Sequence, residues 1–385
     1  MTRLNYTFLQ SRYSEGKLLK SVLTTSQSTC VADAIRNGQK ITKVISLLAL
    51  TFLFTACKVD KDLDITYAEG LSHDTTSTSP FAVPLELDMY YPTDESTNRP
   101  VLMFIHGGGF KGGTKSKPEI EDVAKYYASR GWVFASIDYR TTEELCNSDK
   151  FPECVAKLRE MSKEEKIAYY KGIAPEEWLD AAICSEDENP ELETSNCAET
   201  IFQLQQNIAM YTAQRDAKAA LRWIVANAGT YDIDTDYITV GGASAGASTA
   251  LTLGVLDQEH FRDEISLNDD PTLSTTNLDE TYEIQSMVYF WGTTIIPIFF
   301  EGIYGVEPYD ANDPEIFIAH GNADTVTPYD ESVELQNTYE SLGVYSEFVT
   351  LEGKGHGAWE AKVDGKSLSE LSFEFLVERQ GLDLE

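Results

Sequence analysis

With 385 residues, 42% of them hydrophobic and 11% aromatic, the chain has enough material for a large core, either as one α/β domain with insertions or as two average domains. A formal net charge of −33 argues against sequence-independent nucleic-acid binding, which needs a basic face for phosphates. It fits a solvated surface in a salty or extracellular setting and says nothing about the fold.

The first stretch with a pattern is Lys40-Ile-Thr-Lys43, an apolar run from Val44 to Phe54, and then Thr55-Ala56-Cys57. A basic region, a short apolar region and small residues before a cysteine resemble a bacterial lipoprotein signal. The resemblance implies lipidation of Cys57 and a place in the bacterial cell envelope, lipid-anchored and surface-exposed, or secretion. The run is too short for a comfortable span, so that anchor is the only membrane contact expected. Phe54 stands where such signals more often carry leucine. Residues 1–39 fit no signal peptide and contain no second methionine, which points to an over-extended start or a non-methionine start just before Lys40. Lys58 to Asp64 reads as a charged tether and residues 66–80, rich in Ser, Thr and Asp, as linker. The expected organisation is a leader over 1–57, a linker over 58–80 and a catalytic domain over 81–385.

Val83 to Pro92 alternates apolar and polar residues and predicts an early antiparallel strand. Val101-Leu-Met-Phe-Ile105 is a fully apolar strand running into His106-Gly107-Gly108-Gly109-Phe110. Consecutive glycines let backbone N–H groups turn toward a ligand where a Cβ would clash, although a plain flexible loop has the same composition. A helix is predicted from Glu119 to Arg130 and a buried strand from Gly131 to Arg140. The next helix is expected only at Asn207 to Ala228, with Ala217, Ala220, Leu221, Ile224 and Val225 on its apolar face. Residues 141–206 are therefore an acidic insertion. It holds Cys146, Cys154, Cys184 and Cys197, an even number that argues for two disulfides in an exported protein. Neighbours in sequence suggest Cys146–Cys154 and Cys184–Cys197, with three connectivities open. No C-x-x-C pair occurs, so zinc is not expected.

Tyr237 to Leu251 is the stretch around which the rest is organised. A β-branched run breaks at Gly241-Gly242, and Gly242-Ala243-Ser244-Ala245-Gly246 fits G-x-S-x-G, a serine on a tight strand-to-helix turn. After it come the apolar strand Ser286 to Trp291 and an apolar connection holding Ile295, Ile296, Phe299 and Phe300. Core packing is the default for these side chains; lining of an acyl or aryl pocket, with Phe110, is the functional alternative. Glu315 to His320 is a strand ending in Gly321-Asn-Ala-Asp324, and Tyr345 to Leu351 is the last strand. Gly353-Lys-Gly-His356-Gly follows, then an amphipathic helix from Leu368 to Arg379. Of the five histidines, His73 falls in the linker, His106 in the glycine loop, His260 after the serine helix and His320 at a strand end. Elimination leaves His356 as the partner of Ser244 and Asp324.

From Leu85 onward the chain resembles the carboxylesterase branch of the α/β-hydrolases, notably bacterial feruloyl- and acetyl-esterase-like enzymes. The His-Gly-Gly-Gly loop, the serine turn and the His-Gly-x-x-Asp turn carry the likeness. It implies a mostly parallel sheet flanked by helices; the long cysteine-bearing insertion departs from the family pattern, and its place beside the catalytic face points to a cap over the mouth. It also implies a Ser244–His356–Asp324 triad, with oxyanion donors from the backbone N–H groups of Gly108, Gly109 and Ala245. The implied substrates are small-molecule esters, and no metal or organic cofactor is expected. The acid turn also looks like that of prolyl oligopeptidases, but there is no room for their propeller, so peptidase activity is the lesser reading. A surface binding protein on the same scaffold is a second alternative.

Overall fold

In chain order the strands and helices are β1 (Val59–Ser72), β2 (Phe81–Pro92), β3 (Arg99–Ile105), α1 (Pro118–Ala128), β4 (Val133–Ile137), α2 (Pro152–Glu160), α3 (Lys163–Tyr170), α4 (Glu176–Ala182) and α5 (Ile201–Ala226). They continue with β5 (Ile233–Ala243), α6 (Ala245–Val255), β6 (Ile284–Phe290), α7 (Ile295–Tyr304), β7 (Glu315–Gly321), α8 (Tyr329–Leu342), β8 (Ser346–Leu351), the short hairpin β9 (Lys362–Val363) and β10 (Lys366–Ser367), and α9 (Leu368–Arg379). This computed structural model describes residues 59–73, 80–146, 152–183, 198, 200–262 and 264–382. The expected leader, Cys57, Cys184 and Cys197 lie outside them.

Among the described residues one eight-stranded sheet runs in the order β1-β2-β4-β3-β5-β6-β7-β8. β2 pairs antiparallel with β4, and every pairing from β4 to β8 is parallel. Parallel strands covered on both faces read as continuous apolar runs, which is why Val101 to Ile105 and Val133 to Ile137 are buried throughout. Gly242 on β5 faces α6, where an added Cβ would lie 2.3 Å from the Gly246 carbonyl carbon. Thr239, odd-numbered on the same strand, accepts from Gln380 just past α9. Helices thus cover opposite faces of the sheet.

The expected linker over 58–80 is corrected: residues 59–72 form the edge strand β1. Its first half is exposed, but Tyr67, Ala68 and Leu71 are buried. Arg140 fixes it in place, donating to the Leu71 carbonyl (2.8 Å) while its guanidinium grips Asp216 on α5 (2.6 Å). The Tyr67 hydroxyl donates to Asp138 O (2.8 Å), and His73, expected in the linker, is buried and stacked on Tyr169 of the insertion (4.0 Å).

The expected start of the long helix at Asn207 is also corrected. α5 begins at Ile201 behind Thr200, whose hydroxyl accepts from Gln203 N while the Gln203 side chain accepts from Thr200 N. This reciprocal cap sets the helix start, so the insertion ends near residue 200 instead of 206. Within it are α2, α3 and α4 and the Cys146–Cys154 disulfide, with Cα atoms 5.7 Å apart. Trp178 of α4 is buried between Tyr211 on α5 (5.4 Å) and Phe299 on α7 (4.7 Å), and donates its indole N–H to Asn207 O.

Candidate active site

Parallel register delivers the functional loops to one rim. Ile105 pairs with Gly242, Ala243 with Phe290, Phe290 with Ala319 and Gly321 with Leu351. The chain therefore leaves β3, β5, β7 and β8 side by side, toward the glycine loop, Ser244, Asp324 and His356. Carboxyl ends of strands in an open α/β sheet are where such groups collect.

Ser244 occupies φ 56°, ψ −125°, a region that a side-chain-bearing residue enters only when its surroundings force it. The flanking glycines explain how. A Cβ at Gly242 would lie 2.3 Å from the Gly246 carbonyl carbon, and one at Gly246 only 2.0 Å from Ile105 O. Ser244 N–H donates to Phe290 O (2.8 Å) and its carbonyl accepts from Ser248 N (3.1 Å), so both ends of the turn are held.

His356 Nε2 lies 2.9 Å from Ser244 Oγ, and His356 Nδ1 lies 2.8 Å from Asp324 Oδ2. The Asp324 side chain is fully buried, whereas that of His356 is partly open. Burial alone would push the Asp324 carboxyl up. Hydrogen bonds from Val326 N–H, His356 and Thr327 outweigh it and hold the group below the ordinary carboxylate range. Asp324 Oδ1 accepts from Val326 N (2.7 Å) and Thr327 N (3.1 Å).

In the glycine loop Gly108 has φ 149° and Gly109 φ 61°. A Cβ at Gly108 would sit 1.8 Å from Gly112 O, so only glycine fits. Lys111 N donates back to Gly108 O (3.0 Å) and closes the turn. Among the described residues the N–H groups of Gly108, Gly109 and Ala245 meet no protein acceptor. His106 stays below them, buried and stacked on Tyr139 (4.4 Å), whose hydroxyl donates to His106 O (3.0 Å). The start of the insertion and the helix after it both hold this loop: Thr142 N donates to Phe110 O (2.9 Å) and Gln206 Nε2 on α5 to Gly109 O (2.7 Å). No group of three or more His, Cys, Asp or Glu residues among those described is placed to hold a metal ion.

The BD-FAE family model matches residues 87–163 and 198–302. A carbohydrate esterase from gut microbiota superposes with a TM-score of 0.53 at 18% identity, covering 85% of this chain and 98% of that one. The chain has the α/β-hydrolase fold and is similar to BD-FAE over those two segments. Esterase Est2 of Thermogutta terrifontis, propionate-bound, superposes with a TM-score of 0.49 at 20% identity, over 79% of this chain and 92% of that one. No curated protein matches the chain by sequence. The BD-FAE match passes over residues 164–197 inside the insertion and ends before Asp324 and His356, so in this α/β-hydrolase those two rest on geometry.

The apolar candidates differ in burial. The expected connection is the helix α7; Ile295 is 50% exposed on it, whereas Ile296 is fully buried and faces the core. Ile296 is thus removed from the set that a substrate can touch. Phe299 is half-buried against Trp178, Phe300 is buried against Phe261, and Phe110 is buried beside Tyr139. His320, set aside by elimination, is in the site: its Nε2 lies 3.2 Å from Asp324 Oδ2. The four-residue spacing from His320 to Asp324 around a turn was the available signal. Gln206, too, has no motif of its own to announce it.

Proposed function

We propose that this α/β-hydrolase is a serine carboxylic ester hydrolase acting on small acyl or aryl esters, including acyl groups on carbohydrates. The observation that carries the reading is the unbroken line from Ser244 Oγ through both nitrogens of His356 to a buried Asp324, mounted on a strained turn. The Ser244 hydroxyl attacks the ester carbonyl as its proton passes to His356 Nε2. Asp324 fixes the tautomer with the proton on Nδ1 and stabilises the imidazolium. Negative charge on the carbonyl oxygen is met by the N–H groups of Gly108, Gly109 and Ala245, the last at the N-terminus of α6. One such donor is typically worth about 2.7–4 kcal/mol in the transition state. His356 then gives its proton to the departing alcohol. Water attacks the acyl-enzyme, losing a proton to His356, and the acid leaves with Ser244 restored.

The insertion serves in this proposal as a cap that restricts the mouth, and its packing through Trp178 against α7 supports that place. The protein acts in the cell envelope, held by lipid on Cys57. A fluorophosphonate probe should label the wild type and not Ser244→Ala, and a panel of p-nitrophenyl, feruloyl and acetylated-sugar esters should show turnover with at least one class. An unlabelled wild type with no turnover on the panel would overturn the reading.

A further inference from the structure

We propose that His320 is a positioning residue of the triad, donating its Nε2–H to the Asp324 oxygen that also receives His356, and so fixing that carboxylate and taking up part of its charge. The inference rests on the esterase reading of the site.

The tautomer follows from the neighbours. His320 is fully buried near the end of β7. Its Nε2 lies 3.2 Å from Asp324 Oδ2 and 3.2 Å from the Thr327 carbonyl, and a carboxylate and a carbonyl can only accept. The Thr327 hydroxyl, 3.3 Å away, is the one neighbour of Nε2 that can also donate, and with two acceptors closer the geometry favours a proton on Nε2. Nδ1, 2.6 Å from Ser332 Oγ on α8, accepts the serine hydroxyl hydrogen, and Tyr329 closes the ring edge-on at 5.8 Å. Burial lowers the imidazole below its ordinary range against the pull of Asp324, which keeps it neutral and donating.

Asp324 Oδ2 needs this donor. Besides His356 it faces the Thr327 hydroxyl at 2.9 Å, but that hydroxyl has one proton and a second acceptor, Trp291 O, at 3.1 Å. When Thr327 turns to Trp291, His320 is the fixed donor left beside His356. A carboxylate deprived of it would lose its in-plane hold and would bear more charge toward His356. The first effect slows acylation. The second stabilises the imidazolium that forms on His356, because a carboxylate with one donor fewer concentrates its charge there. The other titratable groups nearby are engaged elsewhere: Glu331 on α8 accepts from Thr294 N, Tyr329 bonds Thr350, Glu352 accepts from Asn322, and Lys354 pairs with Glu360 across the loop that carries His356.

The test compares His320→Leu with His320→Gln, whose amide N–H reaches toward the position of Nε2. In His320→Leu, kcat on p-nitrophenyl acetate should fall about tenfold or more with KM within about twofold. The acid limb of kcat/KM should move up by about half a pH unit or more. His320→Gln should recover most of both losses. A purely structural histidine would lower thermal stability in both variants and leave the acid limb where it was. Wild-type kcat and limb in a folded His320→Leu would overturn the proposal. Equal deficits in kcat and limb for both folded variants would do the same. If the variants fail to fold, 15N NMR of the wild type at pH 7.5 decides: His320 should be neutral with the proton on Nε2, and a Nδ1–H or charged ring overturns the proposal. A wild type without esterase activity would sink the functional reading, while the NMR result would still stand or fall separately for His320.

Discussion

The side-chain amide of Gln206 donates to the carbonyl of Gly109 across 2.7 Å, joining the first turns of the helix after the insertion to the glycine loop beside Ser244. The two residues are far apart in sequence, and the bond sets the orientation of the peptide after Gly109. Gln206→Leu should therefore leave the fold intact and lower kcat about tenfold, equivalent to about 1.4 kcal/mol in the barrier, with little change in KM. Initial rates on p-nitrophenyl acetate measure it. An unchanged kcat would mean that the loop holds itself.

The serine turn should tolerate no added methyl group. Gly246→Ala places a Cβ 2.0 Å from Ile105 O, forcing β3 and the start of α6 apart, whereas a Cβ at Gly229 meets nothing within 4 Å. Overpacking of this kind costs about 3 kcal/mol or more. Urea unfolding should show a large loss for Gly246→Ala and almost none for Gly229→Ala; similar midpoints for the two would contradict the packing.

Acid should weaken the join between β1 and the insertion through His73. Burial lowers this histidine from 6.5 to about 4, with its hydrogen bond to the Tyr169 carbonyl opposing. The fold favours the neutral ring, so the associated stability is complete above pH 6.5 and is lost as the pH falls from there toward 4. The linkage amounts to about 2–3 kcal/mol. His73→Phe keeps a ring against Tyr169 and removes the titration. Its unfolding midpoint should vary less between pH 7.5 and pH 5 than that of the wild type, and parallel pH dependences would rule the linkage out.

Lipidation is expected at Cys57, on the strength of the apolar run and Thr55-Ala56 before it. Labelled palmitate should enter the wild-type protein in a bacterial host and be absent from Cys57→Ser. Label that persists in the variant would end the anchor proposal.

What the sequence made legible was local chemistry with its own signature. Gly242, Ser244 and Gly246 are read directly because the turn admits nothing larger, and Val101 to Ile105 because a strand buried on both faces is apolar throughout. β1 was hidden for the opposite reason. Asp60 to Asp64 are exposed on an edge strand and carry no apolar period, and what holds the rest is Arg140 and Asp138, distant in sequence. The start of α5 is encoded locally in Thr200-x-x-Gln203, a weaker pattern than the alanine face further along the helix. Elimination found His356 but discarded His320, because ending a strand and touching the acid are not exclusive roles. Cys146–Cys154 was accessible from proximity alone.

Arg379, at the end of α9, clasps Glu315 at the beginning of β7 through two 2.6 Å bonds, and Gln380 reaches Thr239 on β5. The last described turn of the chain is thereby pinned to the rim where β7 starts, and Ser244, Asp324 and His356 stand at the rim where the parallel strands finish. A resin, a fusion partner or a scaffold attached beyond residue 382 would sit behind the molecule, and an immobilised preparation would turn its working face to the liquid.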